Sequence, residues 1–483
     1  MFKTAEENLN AVSAIFKGDN DFVAREFELP NGGKGAAVFI DGLASSEVIN
    51  DFILTPIMND RPISVGEADR LDTIKKASEV ILDGDTVVFL DGFDTAAYFS
   101  TKGFPSRNIS EPQTETVLRG PREGFTESLR TNTALLRRKL KTPDLRMEAS
   151  RLGSRTNTTV CLCWIDSIAS PDLINEVRRR LDNIDVDAIL GSGYVEEFIE
   201  DEPVTPFQTV GYTEKPDVIA GKLLEGRCAL IVDGTPFALT MPFLFVENFQ
   251  SPEDYAIRPL AASFLRIIRI ISFFITLALP ALYVALVDFH PELIPTTLLY
   301  SIASASEGTP FPAPLETAVM LFVFEILREA GIRLPKPTGQ AISIVGALVM
   351  GQAAIQAGIV GAPVVIIIAF CAVASFVSPT VSDSVNLMRW LLLLLGSTMG
   401  GFGVLLGLLS IYILLASMQS FGVMYLHPIA PLSLQELGDV GIRVPMWMLK
   451  RRPSALHPQD KIRQANKTKP KFNGGIPSYG NEQ

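Results

Sequence analysis

Thiols and imidazoles are scarce in this sequence. Its four cysteines are Cys161 and Cys163 in one apolar run, Cys228 in a second, and Cys371 in a hydrophobic helix; its three histidines are His290, His427 and His457. A metal site wants more such ligands at closer spacing, so the cysteines read as buried and reduced, and no metal or cofactor is expected. Positive charge is also in deficit: 42 lysines and arginines stand against 53 aspartates and glutamates, a formal net charge of -11. Binding a polyanion needs a basic face, so nucleic acid is not an expected partner. Residues 1–60 hold no basic start followed by an apolar run, and no cleavable signal peptide is expected. Neither a phosphate-cradling glycine loop nor a nucleophile elbow occurs. No nucleophile, base and orienting group stand out together, so the chain is not expected to be an enzyme.

Long hydrophobic stretches are present, and they are unevenly placed. Positions 1–260 have the mixture of an ordinary globular protein, whereas most of 262–426 is nearly free of charge. The expected layout is an N-terminal segment (1–30), a first α/β module with a charged connecting helix (31–145) and a second α/β module (150–255). A transmembrane helical domain (262–426) and a basic cytoplasmic tail (427–483) follow.

The two modules are suggested by an internal repeat. The run Phe39-Ile40-Asp41-Gly42, continuing to Asp51, matches Trp164-Ile165-Asp166-Ser167, continuing to Glu176. In each, an apolar run ends in an Asp and a helix starts at Ser46, Ser170 or a neighbour. Likewise Leu82–Gly92 matches Leu224–Gly234, two apolar strands ending in Asp-Gly. Those Asp-Gly pairs read as turns rather than acid–base groups. Between the modules a helix reaching about Lys141 carries Arg130, Arg137, Arg138, Lys139 and Lys141. It is either a solvated connector or an interface that meets a neighbouring subunit.

A spanning helix needs about 20 mostly apolar residues. Ile270–Val287 qualifies, with Pro280 inside it. The charge-free run between Lys336 and Asp383 is broken by Gly358, Gly361 and Pro363, which gives two helices and a tight turn. Trp390–Ala416 would be about 40 Å long as one helix and must tilt or bend, with Gly400-Gly401 and Gly403 marking the place. Segment 288–337 is punctuated by Pro291, Pro295, Pro310, Pro312 and Pro314 and carries Glu316, Glu325, Arg328 and Glu329. It is a fifth span or a re-entrant or interfacial segment. Arg258, Arg266 and Arg269 before the first span, and Lys450, Arg451, Arg452, Lys461, Arg463, Lys467, Lys469 and Lys471 in the tail, place both ends in the cytoplasm. Two cytoplasmic ends favour four spans, although Arg328, Arg333 and Lys336 would then lie outside.

Ionisable and polar groups at membrane depth single themselves out. Glu325, Arg328 and Glu329 share a helical face, either as a charged vestibule or ion pathway or as the wet side of an interfacial helix. Gln352 and Gln356 share another, which lines a polar path or bonds neighbouring helices. Gly396/Gly400 and Gly403/Gly407 are small-residue pairs that allow close helix approach.

Several motifs carry a family resemblance. They are Pro310-Phe311-Pro312-Ala313-Pro314-Leu315-Glu316, then Phe324–Pro335 and Gly339–Ala354, with Glu111-Pro112, Arg119–Glu127, Asp233–Phe237 and Pro252–Tyr255 before them. Over residues 35–455 the chain resembles the A subunits of GerA-type spore germinant receptors, a family with a related branch encoded with the dipicolinic-acid release proteins. Ser378–Ser384 and Gly361 depart from the receptor pattern and leave the branch open. The resemblance implies a pentameric ion channel of the spore inner membrane, with both termini on the core side. It would release monovalent cations and work with a nutrient-sensing, transporter-like B subunit and a lipoprotein C subunit. In such a ring Glu325, Gln352 and Gln356 are the candidate pore residues. Arg122, Glu123, Gly396, Gly400, Gly403 and Gly407 are the candidate oligomer interface. A non-conducting scaffold and a solute transporter are the alternatives.

Overall fold

A computed structural model of the chain describes residues 1–464 except 31, 60, 62–67, 104–111, 113, 114, 116, 118, 334–345, 347, 348, 378, 434 and 435. Glu111, Lys336, the 339–345 part of the signature, and Lys467, Lys469 and Lys471 therefore lie outside the described residues. The chain divides into two compact units: Met1–Asp201, Val210–Pro242 and Val444 onward form one, and Glu202–Thr209 with Phe243–Arg443 form the other.

The first unit contains two five-stranded sheets. One is built from β1 (Phe22–Glu28), β2 (Lys34–Ile40), β3 (Ala68–Leu71), β4 (Thr86–Leu90) and β5 (Ala96–Phe99), in the order β1-β2-β4-β5-β3. The other uses β6 (Leu145–Leu152), β7 (Thr158–Ile165), β8 (Gly211–Thr213), β9 (Cys228–Val232) and β10 (Ala238–Met241), in the order β6-β7-β9-β10-β8. The orders correspond strand for strand, and the repeated sequence runs end β2, β7, β4 and β9. Period-2 alternation explains how β2 is buried on both faces. Ala36, Val38 and Ile40 pack with Leu9, Val12 and Ile81 on one side, while Ala37 packs with Ile53 and Val88 on the other.

The Asp-Gly pairs are turns, and they cap helices. Gly92 and Gly234 have φ of 88° and 87°, which a residue with a Cβ rarely adopts. Asp91 accepts the N–H of Ala5 at 2.7 Å and of Lys34 at 2.9 Å, and Asp233 accepts that of Leu129 at 3.0 Å. Ala5 opens the Ala5–Ile15 helix and Leu129 opens the Leu129–Lys139 helix. The charged helix is thus the second module's counterpart of Ala5–Ile15. It is neither solvated nor a connector, because Leu135 and Leu136 pack with Leu145, Ile165 and Leu223 of the second module. Similarly, residues 5–28, set apart in the sequence, belong to the first module through the Ala5–Ile15 helix and β1. Ser45 rather than Ser46 caps the helix after β2, and Ser170 makes no side-chain cap bond.

The basic segment after Val444 packs on the second module. Gln459 donates from its side chain to Asp166 O at 3.0 Å and to Ala169 O at 2.6 Å. Arg452 reaches Leu224 O at 2.8 Å, near the C-terminus of the Pro216–Glu225 helix, where the helix dipole favours a cation.

The second unit is helical. Among the described residues, two helical stretches are long and apolar enough to cross a membrane by length and composition, Pro259–Asp288 and Pro379–Ser417; Ala362–Ser375 is apolar but shorter. Ala313–Arg333 is long enough, but Glu316, Glu325, Arg328, Glu329 and Arg333 interrupt its apolar surface. The expected bend in the last run is a full reversal. Gly400 has φ 60° and ψ -142° within Ser382–Ser417. Around it, Gly403 meets the Leu395 carbonyl, Gly407 meets Leu392, and an added Cβ on Gly396 would lie 3.2 Å from Val404. Along one helix residues 392 and 407 would stand about 22 Å apart, so segments 382–399 and 401–417 form a hairpin with arms of about 25 Å each. Phe273, Leu277 and Ala281 of Pro259–Asp288 pack with Leu392, Val404, Ile411 and Leu415 of the hairpin.

Candidate functional site

Several ionisable residues of the helical unit are sorted into pairs. Glu325 accepts from Arg389, which lies on the facing hairpin arm, and also pairs with Arg328 at 2.9 Å. Arg389 has no exposed side-chain surface and bonds Asn386 Oδ1 at 3.0 Å. A lone guanidinium among apolar helices is costly, and the Glu325 carboxylate offsets that cost. Arg328 approaches the exposed Asp383 at 3.9 Å. Glu329, on the same face in sequence, turns outward to Arg333 at 2.6 Å. Arg389 does not stand out in the sequence as a partner of Glu325. Its signal was a single arginine directly before the long apolar run that begins at Trp390.

Gln352 and Gln356 are exposed on the helix that ends before Gly358, amid exposed Val349, Met350 and Ile355. Among the described residues they share no hydrogen bond or ion pair with Glu325, Arg328 or Arg389. An amide turned toward hydrocarbon would find no hydrogen-bond partner, so this face calls for water or a neighbouring protein surface.

The candidate interface residues are placed as follows. Arg122 is exposed. Glu123 is half-buried and takes Lys139 at 3.0 Å and Arg138 at 3.4 Å. Burial pushes its carboxyl up, but the bond to Lys139 and the two positive charges outweigh this and hold it below the usual carboxylate range. Gly396, Gly400, Gly403 and Gly407 are all buried by the chain's own residues. Gly400 lies against Phe289, Gly396 against Ala281, and the other two against the opposite hairpin arm. Close approach at these glycines therefore serves packing within the chain.

A sequence profile of the Bacillus/Clostridium GerA spore germination proteins matches residues 10–455. The chain belongs to that family. Spore germination protein KA of Bacillus subtilis (strain 168) is 45% identical over 451 residues, covering 90% of this chain and 83% of that one. Spore germination protein GerLA of Bacillus cereus is 40% identical over 458 residues, 91% of this chain and 93% of its own. The crystal structure of the N-terminal domain of the A subunit of the Bacillus megaterium spore germinant receptor GerK3 matches at 36% identity and a TM-score of 0.40, covering 50% of this chain and 96% of that one.

In this GerA-family chain two of the motifs quoted above place carboxylates within the packing. Within Pro252–Tyr255, the fully buried Asp254 accepts from Arg266 at 2.8 Å and Arg269 at 2.9 Å. Asp439 completes the cluster, taking Arg266 at 2.8 Å and the Tyr255 hydroxyl at 2.8 Å. Arg266 and Arg269, early in Pro259–Asp288, are thereby neutralised by acids of their own unit. Pro312 precedes the Ala313–Arg333 helix, whose first turn holds the buried Glu316.

Open cavities lie in the described part of the first unit. One of about 470 Å³ is lined by Arg179, Arg180, Phe198 and Asp201. Another, of about 250 Å³, is lined by Asp21, Asp41, Arg130 and Asp233, with Arg130 paired to Asp41. Among the described residues no three His, Cys, Asp or Glu side chains are grouped to hold a metal ion.

Proposed function

We propose that the chain is a membrane subunit of a spore germination complex, and that copies of it surround a pathway through which monovalent cations leave in response to a germinant sensed by a partner. The exposed amides of Gln352 and Gln356 on an otherwise apolar helix carry this reading. In a ring of identical subunits each becomes a circle of uncharged dipoles, able to replace part of an ion's hydration without trapping the ion. Glu325 takes a different role from the one the sequence suggested. Two arginines neutralise it, so it fixes the Ala313–Arg333 helix to the hairpin rather than presenting bare charge to a pore.

Large apolar side chains such as Leu260, Phe264, Ile271 and Phe274 stay exposed on Pro259–Asp288, which suits contact with lipid. The segment after Val444 packs on the second α/β module, which favours an even number of crossings and both ends on one face of the membrane. In this reading the assembly is a pentamer of the spore inner membrane, with a transporter-like B subunit and a lipoprotein C subunit as partners.

Cysteine substitution tests the pore assignment, because all four native cysteines are buried. With the chain and its partners in liposomes, a water-soluble thiol reagent should block potassium flux through Gln352→Cys or Gln356→Cys and spare the parent. Flux that persists after both positions are shown to be modified would remove these residues from the pathway. Absence of flux in every preparation would favour the scaffold.

A further inference from the structure

Glu316 is a buried ionisable side chain of the helical unit that the ion pairs leave out. Its residue is 2% exposed, and no arginine, lysine or histidine pairs with it among the described residues. One carboxylate oxygen, Oε2, accepts the Gly361 N–H at 3.1 Å. The other, Oε1, is buried and finds no partner. Gly361 is the N-cap of Ala362–Ser375, and Glu316 lies in the first turn of Ala313–Arg333. The N-terminus of Ala362–Ser375 therefore meets this carboxylate through the Gly361 N–H. An anion so placed, with one oxygen unused, is costly unless something positive joins it.

The surroundings supply oxygens. A Cβ added to Gly361 would lie 3.1 Å from Ser306 Oγ, 3.5 Å from Ala305 O and 3.6 Å from Glu316 Oε2. Three oxygens thus line the space left by the missing side chain. Ala305 and Ser306 end the Thr296–Ser306 helix, and the negative end of its dipole favours a cation. The N–H of Thr309 turns to Ser306 O at 3.2 Å, leaving the Ala305 carbonyl without a donor among the described residues. A carboxylate, a hydroxyl and a helix-terminal carbonyl are hard oxygen donors, with no nitrogen or sulfur to select a transition metal. A single carboxylate is too little charge for the cages that hold calcium, and magnesium demands a strict octahedron.

We propose that Glu316, Ser306 and the Ala305 carbonyl, gathered around Gly361, form a binding site for a monovalent metal cation such as potassium or sodium. The site does not depend on conduction. It is an equilibrium binding position, and it gives the Pro310–Glu316 signature a chemical purpose beyond ending a loop.

Thermal unfolding of the full-length chain in detergent tests this, with potassium, sodium or choline chloride at equal ionic strength. The parent should melt at a higher temperature in potassium or sodium than in choline. Glu316→Gln, which keeps the size and the acceptor for Gly361, should lose that difference. Gly361→Ala should diminish it, because its methyl group crowds Ser306 while leaving the charge in place. Should the Glu316 variant fail to fold, Gly361→Ala and Ser306→Ala carry the test. Equal melting of the parent in all three salts would overturn the site, as would a cation shift that survives Glu316→Gln and Gly361→Ala unchanged. A dependence on pH with none on the metal would assign the carboxylate to a proton and overturn it too. A cation shift without flux would keep the site and remove the channel.

Discussion

Arg137 has no exposed surface, and its guanidinium spans both modules. It donates to Asp21 at 3.0 and 2.8 Å, approaches Asp19 at 3.3 Å, and bonds Leu145 O at 2.8 Å. Removing one partner of a buried ion pair costs about 3–5 kcal/mol, because the other charge stays behind in a dry place. Arg137→Leu should therefore lower the denaturant midpoint of the α/β unit by about that amount of stability. Asp19 adds a pH signature. Burial, only partly offset by Arg137 and reinforced by Asp21, pushes its carboxyl from 3.8 up to about 6. The folded chain then binds a proton that the unfolded chain releases, so this group's contribution falls as pH rises from about 4 to 6. Denaturation across that range should show a slope that Asp19→Asn flattens; an identical slope in the variant would contradict the assignment. In the sequence Arg137 was one member of a charge run. Its burial was illegible because Asp21, more than a hundred residues earlier, supplies the reason.

Elements were legible where local chemistry defines them. The matched runs ending in Asp41 and Asp166, and in Asp91 and Asp233, pointed to repeated modules, and both sheets have the same strand order. The helix that opens each module was harder to place. Thr4 and Ser128 cap these helices, but the two share little sequence beyond that. At Gly400 the sequence marked a bend and concealed its size, since a kink and a reversal have the same glycines. The reversal makes a firm prediction at Gly403, whose missing side chain admits the Leu395 carbonyl. Gly403→Val should cost at least the roughly 1–3 kcal/mol of an overpacked core site. Melting in detergent would register the loss, while Leu405→Val, at a position 65% exposed, should leave it unchanged.

At the scale of the whole molecule, the residues that hold the helical unit together are distinct from those proposed to line the cation pathway. Glu325→Lys would set a third cation beside Arg328 and Arg389 and should prevent the chain from accumulating folded in the membrane. Gln352→Leu with Gln356→Leu should fold and assemble normally yet conduct poorly, which thermal melting and flux together would register. The Glu325–Arg328 spacing and the shared face of Gln352 and Gln356 could be read from the sequence, because helical period fixes both. Arg389 could not be paired from sequence, because its partner lies 64 residues away on another helix. The most direct test is potassium efflux from liposomes holding the purified chain, with and without its partner subunits, together with its oligomer mass in detergent. The account predicts efflux from a ring-sized oligomer, raised or gated by the partners. A monomer that passes no potassium under any of these conditions would contradict it.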